Sequence, residues 1–198
     1  MTARLSSVAV RRFVETLSAE IGAQTFVSVL SKSGLPREWS DPLSFTTFDD
    51  NKSAQAYDRL QSALRTYYGR GARGILLRVG ANLWRALLED ATLWGRAQAA
   101  LIQRLPKSLR IKPALELMAR LFASEKGGIS LHSLDLDLLL VDRTSPHTQD
   151  QSDTAPICFV TLGLIRECLY WADGREHDVE ERTCRGMGDR QCEFKISM

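Results

Sequence analysis

The stretch Val179-Glu180-Glu181-Arg182-Thr183-Cys184-Arg185-Gly186-Met187-Gly188-Asp189-Arg190-Gln191-Cys192-Glu193-Phe194 constrains this chain most. Gly186 and Gly188-Asp189 lie at its centre, and glycine supplies the positive backbone angles that tight turns need. Downstream, Cys192-Glu193-Phe194-Lys195-Ile196 alternates in the strand manner. The stretch therefore reads as two antiparallel strands with a cysteine at the inner end of each. Two thiols and the carboxylate of Glu181 then approach one turn, which makes a candidate metal clamp. Alternation alone would turn Glu181 and Cys184 to opposite faces, so the strand has to end or bulge before Cys184.

Whether those thiols are free depends on the compartment. No apolar run approaches the length of a membrane span, and the N-terminus lacks the apolar core of a secretory signal. The expected location is cytoplasmic, where thiols stay reduced. The four cysteines, Cys158, Cys168, Cys184 and Cys192, are then metal ligands or core residues rather than disulfides. Lys and Arg number 26 against 24 Asp and Glu, a net charge of +2. That balance gives no electrostatic reason to expect nucleic acid or an anionic membrane as partner. At 198 residues, 44% of them hydrophobic, the chain fits one domain with its own core and an N-terminal extension.

Residues 6–22 read as an amphipathic helix with Val10, Phe13, Val14, Leu17 and Ile21 on one face and Ser6 or Ser7 as cap. This stripe is either core or a homodimer face; its position outside the C-terminal motifs predicts the second. A short helix follows over 24–33, then a loop over 34–52 with aromatic anchors. A helix from Ser53 carries Tyr57, Leu60, Leu64 and Tyr67 or Tyr68 on one side. Gly69-Arg70-Gly71-Ala72-Arg73-Gly74 satisfies G-x-G-x-x-G, but a helical pattern precedes it where a dinucleotide site needs a strand. It reads as a helix–helix joint. Helical pattern runs on over 72–98 and 97–104 to Pro106, and again over 112–124.

After Gly128 the period changes to that of strands, over 129–134 and 135–142. A polar loop at 143–156 leads to an apolar helix at 157–172 and then the final hairpin. The layout is α+β with one antiparallel sheet. Cys158, at the start of the last helix, completes a possible Cys₃Glu set with Glu181, Cys184 and Cys192, ligand types that zinc favours. The CxxC spacing common in zinc sites is absent, so buried reduced thiols stabilising the hairpin remain the alternative. Cys168, in mid-helix, reads as core.

The helix carrying Gly163-Leu164, then Val179-Glu180-Glu181, Cys184, Gly188-Asp189, Cys192 and Phe194, resembles the 4-vinyl-reductase (hydrocarbon-binding) domain family. The resemblance is good over 127–197 and weaker, as a helical correspondence, from about residue 70. It implies a four-stranded antiparallel sheet packed on helices, as in TRAPP-type subunits, with a helical extension over 1–52 and the ligand-binding domain over 53–198. Sensor domains of aromatic-responsive activators in this family hold zinc through residues that correspond to Cys158, Glu181, Cys184 and Cys192. A hydrophobic small molecule is the implied ligand, a tetrapyrrole intermediate of bacteriochlorophyll biosynthesis among the candidates. Trp84, Trp94, Trp171, Tyr67, Tyr68 and His132 are the residues expected to line its pocket. The activators' ATPase and DNA-binding signatures are missing, and no nicotinamide or flavin site is recognisable. Catalysis would need a partner, so a binding module is expected. The alternatives are an accessory subunit of a vinyl reductase or a dimeric assembly protein.

Overall fold

The computed structural model describes residues 4–123, 127–145 and 153–198. Seven α-helices and four strands are present among them. Helix α1 (Ser7–Ile21) starts where the Ser6 hydroxyl accepts from the Ala9 amide at 3.2 Å, and it ends at Gly22, whose φ is 84°. Helix α2 (Ala23–Lys32) follows directly. Two 3-10 turns then bury Phe45 and bring it against Trp39 and Phe48. Helix α3 (Asp50–Tyr68) begins three residues earlier than its apolar pattern, because the Asp49 carboxylate caps the Lys52 amide at 2.8 Å. The Gly69-Arg70-Gly71 segment is a 3-10 turn between α3 and α4 (Ala72–Glu89), the joint its helical neighbours predict.

The helical pattern expected to run unbroken through residue 98 is interrupted. Helix α4 stops at Glu89, and α5 (Leu93–Arg104) starts afresh under the Thr92 hydroxyl, which accepts from Gly95. Asp90 is drawn away to Arg11 and Arg12 of α1, at 2.7 and 2.6 Å. Helix α6 (Ile111–Phe122) completes the helical layer.

Strands β1 (Ile129–Leu134) and β2 (Asp137–Asp142) form the first hairpin, turned by Asp135 in the left-handed region (φ 50°), so β2 starts two residues later than its pattern. Half of the expected 143–156 loop, residues 146–152, lies outside the described residues. Helix α7 (Phe159–Asp173) precedes the second hairpin, β3 (Val179–Thr183) and β4 (Cys192–Ile196). The sheet order is β1-β2-β4-β3, antiparallel throughout. The architecture is α+β with a four-stranded antiparallel sheet.

Helices α4 and α7 run side by side in near-contact of their backbones. A Cβ on Gly80 would lie 2.1 Å from the Val160 carbonyl oxygen, and one on Gly163 2.1 Å from that of Leu77. Only glycine at both positions permits this approach. Farther along, Arg85 meets Glu167, and Trp84 meets Trp171 edge-on at 5.4 Å. The seam holds α7 in place, and α7 carries the start of the candidate site.

The stripe Val10, Phe13, Val14 and Leu17 corrects one expectation. All four are fully buried within the chain, packed on α3 and α4, with Phe13 4.6 Å from the Tyr57 ring. The stripe is core and not a dimer face. The segment expected as an N-terminal extension thus shares the single core of the helices that follow.

Candidate metal centre

Three elements converge at the N-terminal end of α7. Cys158 is the residue that caps the helix, with φ −78° and ψ 46°, so the helix begins after it. Glu181 comes from β3, Cys184 from the chain just past it, and Cys192 opens β4. The pairing of β3 with β4 slips between Glu181 and Thr183. That slip is the bulge required by the face argument, and it lets Glu181 and Cys184 point to one place.

The Cys158 sulfur lies 3.7 Å from that of Cys184 and 3.4 Å from that of Cys192. One ligand atom from each of Cys158, Glu181, Cys184 and Cys192 lies within 4.8 Å of all the others. The three thiols are buried completely, and Cys168 is buried elsewhere on α7. Glu181 receives the Cys158 backbone amide on Oε2 at 3.1 Å, while its Oε1 is buried with no partner among the described residues. Such an orphaned acceptor asks for a cation or a proton.

The electrostatics agree. Burial pushes the Glu181 carboxyl up to about 8, with the Cys184 thiolate adding to the shift. Burial also carries the Cys158 thiol well above its ordinary range. Cys184 is held down as a thiolate by hydrogen bonds from Cys158 and Cys192. Cys192 is lowered by Cys158 but carried up further by Cys184 and by burial. Four acidic groups thus share one dry volume that cannot ionise them all without a cation. The donor set, three soft sulfurs and one oxygen, suits a divalent transition metal.

The supporting loop was not legible as function from sequence. The Asp189 carboxylate accepts the Cys184 amide at 2.9 Å, and Gly188 takes φ 95° to allow the turn. The Arg185 amide reaches the Cys192 sulfur at 3.3 Å. Its guanidinium donates to the carbonyls of Arg143 and Ser145 at 3.1 and 3.0 Å, tying the chain after β2 to the hairpin. A Cβ at Gly186 would sit 2.7 Å from Ile157 and 3.4 Å from the Cys184 sulfur, so that turn closes directly over the site.

Behind the sulfurs lies a buried polar row on one face of α3. Ser53, Tyr57 and Gln61, four residues apart, are all inaccessible. Burial first, then the charge at Cys158, raises the Tyr57 phenol, which neighbours Thr161 of α7. The Ser53 hydroxyl and Gln61 Oε1 find no partner among the described residues.

The six residues expected to line a ligand pocket are spread out. Trp84 is buried against the half-buried Trp171, and the Trp84 Nε1 is unpartnered among the described residues. Tyr67 and Tyr68 stack edge-on at 4.9 Å near the surface. Trp94 is exposed, and His132 lies on the exposed edge strand bonded to Ser130 at 2.9 Å. A surface hollow of about 700 Å³ between α4 and α7 holds none of them; Arg78, Arg166, Glu167 and Asp178 make it polar.

These features define a class: a helical layer on a four-stranded antiparallel sheet, with a thiolate and carboxylate cluster where the last helix meets the last hairpin. Residues 143–198 match the model of the V4R domain family, which bears out the resemblance read from the C-terminal motifs. No curated protein matches the chain. Among solved structures, the phenol-responsive sensory domain of the transcription activator PoxR, with phenol, is 14% identical over 72% of this chain and 73% of its own, at a TM-score of 0.51. An H-NOX protein variant from K. algicida is 10% identical over 97% of this chain and 95% of its own, at 0.56. An oxygen-binding H-NOX domain related to soluble guanylate cyclases is 17% identical over 93% and 89%, at 0.53. At these identities the likeness is one of fold.

Proposed function

We propose that this chain is a zinc-stabilised domain that binds a small hydrophobic molecule. The observation that carries the reading is the convergence of Cys158, Glu181, Cys184 and Cys192 within 4.8 Å. Zinc–sulfur bonds of about 2.3 Å in a tetrahedron separate the sulfurs by about 3.8 Å. The sulfur separations of 3.4 and 3.7 Å are close to that value and far from a disulfide. Four protein ligands leave no open position for water or substrate, so the metal's role is structural. It ties the turn of the β3–β4 hairpin to the head of α7 and so sets the shape of the interior beside α3.

The ligand reading draws on the V4R match and on a fold shared with a sensory domain solved with phenol. Within this chain it is supported by the unpartnered buried atoms of Ser53 and Gln61, which can hydrogen-bond a guest in an otherwise apolar interior. A tetrapyrrole is the second reading. Its support is the H-NOX likeness, which extends over 93% of this chain, and a likeness, at 17% identity over 94% of the chain, to a structure of protein-induced porphyrin distortion. His132, on an exposed edge strand, is a poor candidate for an axial ligand. The protein as purified tests both readings: metal analysis for zinc, mass spectrometry for a bound organic molecule, and an absorption spectrum for a tetrapyrrole. A zinc-free, ligand-free protein whose melting temperature is unmoved by phenol and by added zinc would reject the proposal.

A further inference from the structure

The whole-chain charge of +2 conceals one strongly biased segment. From Leu93 to Leu115 there is no Asp or Glu, while Arg96, Arg104, Lys107, Arg110 and Lys112 contribute five cations. Among the described residues none of the five forms an ion pair. Arg96 and Arg110 donate to the backbone carbonyls of Ala91 and Leu105, at 2.9 and 2.7 Å, which orients them without neutralising them.

The same segment exposes apolar side chains that a core would ordinarily take. Helix α5 turns Gly95 and Ile102 inward. At 100° per residue the opposite arc holds Leu93, Ala97, Ala100 and Arg104, with Leu101 and Trp94 on its flank, all of them exposed. Leu93 is 85% exposed, Trp94 79% and Leu101 61%, and beyond the helix Leu109 is 60% exposed. Leu93, Trp94 and Leu101 project outward, and Leu109 borders a surface hollow with Ile111 and Lys112. Isolated exposed leucines need no explanation, but a tryptophan and three leucines on one short, acid-free segment do.

We propose that α5 and the turn after it form a docking surface for an anionic lipid membrane. Outward Trp and Leu interleaved with Arg and Lys is the pattern of a helix lying in the interface plane. Tryptophan favours the headgroup level, and unpaired cations are attracted to anionic lipid within a Debye length of the surface. The charge bias selects anionic over neutral lipid. The projecting shape selects a deformable surface over a second copy, which would have to present a matching hollow.

Flotation of the full chain with vesicles tests this. With phosphatidylcholine vesicles containing about one third phosphatidylserine, the protein floats at low salt and is released as salt rises. Pure phosphatidylcholine vesicles carry little of it. The double variant Trp94→Ser, Leu101→Ser lowers partitioning at least tenfold while its circular dichroism is unchanged, because both side chains are exposed. Trp94→Phe retains binding but loses the blue shift of tryptophan emission. Absence of flotation with anionic vesicles at low salt, or undiminished flotation of the double variant, overturns the proposal. So does self-association of the native chain that the double variant abolishes without any vesicle binding, which would assign the surface to a second copy.

Discussion

Replacing Gly163 with Ala should be among the most damaging single changes outside the candidate metal centre. The added Cβ would stand 2.1 Å from the Leu77 carbonyl oxygen, where contacts under 3.0 Å essentially do not occur. The obstacle is backbone, so no side chain can swing aside. Helices α4 and α7 would have to part by roughly 1 Å, and gaps of about 0.5–1 Å forfeit a quarter to a half of each dispersion contact along a seam. Overpacking of this kind costs about 1–3 kcal/mol and sometimes more. The backbone obstacle puts the cost at the upper end of that range, and alanine regains about 1 kcal/mol of helix propensity over glycine, so the net loss is about 2 kcal/mol. For a chain of this length that lowers the melting temperature by about 4–8 °C. Gly74→Ala, on the same α4, is the control. Its Cβ meets nothing closer than the Arg78 guanidinium at 3.6 Å, so propensity should prevail and stability should rise by up to about 1 kcal/mol. Chemical denaturation of both variants reads the contrast. Equal stability of Gly163→Ala and the native chain, or equal damage from both changes, would refute the account of the seam.

Other outcomes follow from the site and the helical layer. Cys184→Ser should release the metal and lower thermal stability together, by about 3 kcal/mol or more, read by metal analysis and calorimetry on the same sample. In metal-free protein, Glu181 holds a proton up to about pH 8, whereas in the unfolded chain it loses that proton near the ordinary value. Cys184 does the opposite, a thiolate in the folded chain and a thiol in the unfolded one, so the two differences offset and metal-free stability should change little as pH rises through about 4.5–8. Denaturation in chelator across that range checks this, and Glu181→Gln, which leaves only the Cys184 difference, should make stability rise with pH. Asp90 is held below the usual carboxylate range by its hydrogen bond to Arg12, with Arg11 adding its charge. That stabilisation is present at neutral pH and lost as pH falls below about 4. Asp90→Asn should cost about 1–2 kcal/mol at pH 7 and progressively less as pH falls below about 4.

The hairpins were readable because their signals are local. Alternation at Cys192–Ile196 survives as alternate burial along β4, and the glycines mark the turns. The clustering of Cys158, Glu181, Cys184 and Cys192 was readable because these residue types are few and the hairpin joins three of the four. Other features depend on tertiary context. The break at Asp90 follows from Arg11 and Arg12, nearly 80 residues away in the chain. The apolar stripe on α1 looks the same whether it meets a second copy or its own α4. Gly80 and Gly163 show no pattern in sequence that pairs them, and Arg185 looks like any surface arginine until its carbonyl partners are seen. The dispersed aromatic residues illustrate the same limit: bulk and polarity identify pocket-forming residue types, but not which of them share a cavity.

X-ray absorption at the zinc edge, on protein prepared without chelator, tests the central claim most directly. The account predicts about one zinc per chain, bound by three sulfurs at about 2.3 Å and one oxygen at about 2.0–2.2 Å. Loss of one sulfur should follow from Cys158→Ser, whose side chain belongs to the helix and not to the hairpin. Protein without metal that takes up none when zinc is added, or zinc bound through oxygen and nitrogen alone, would contradict it.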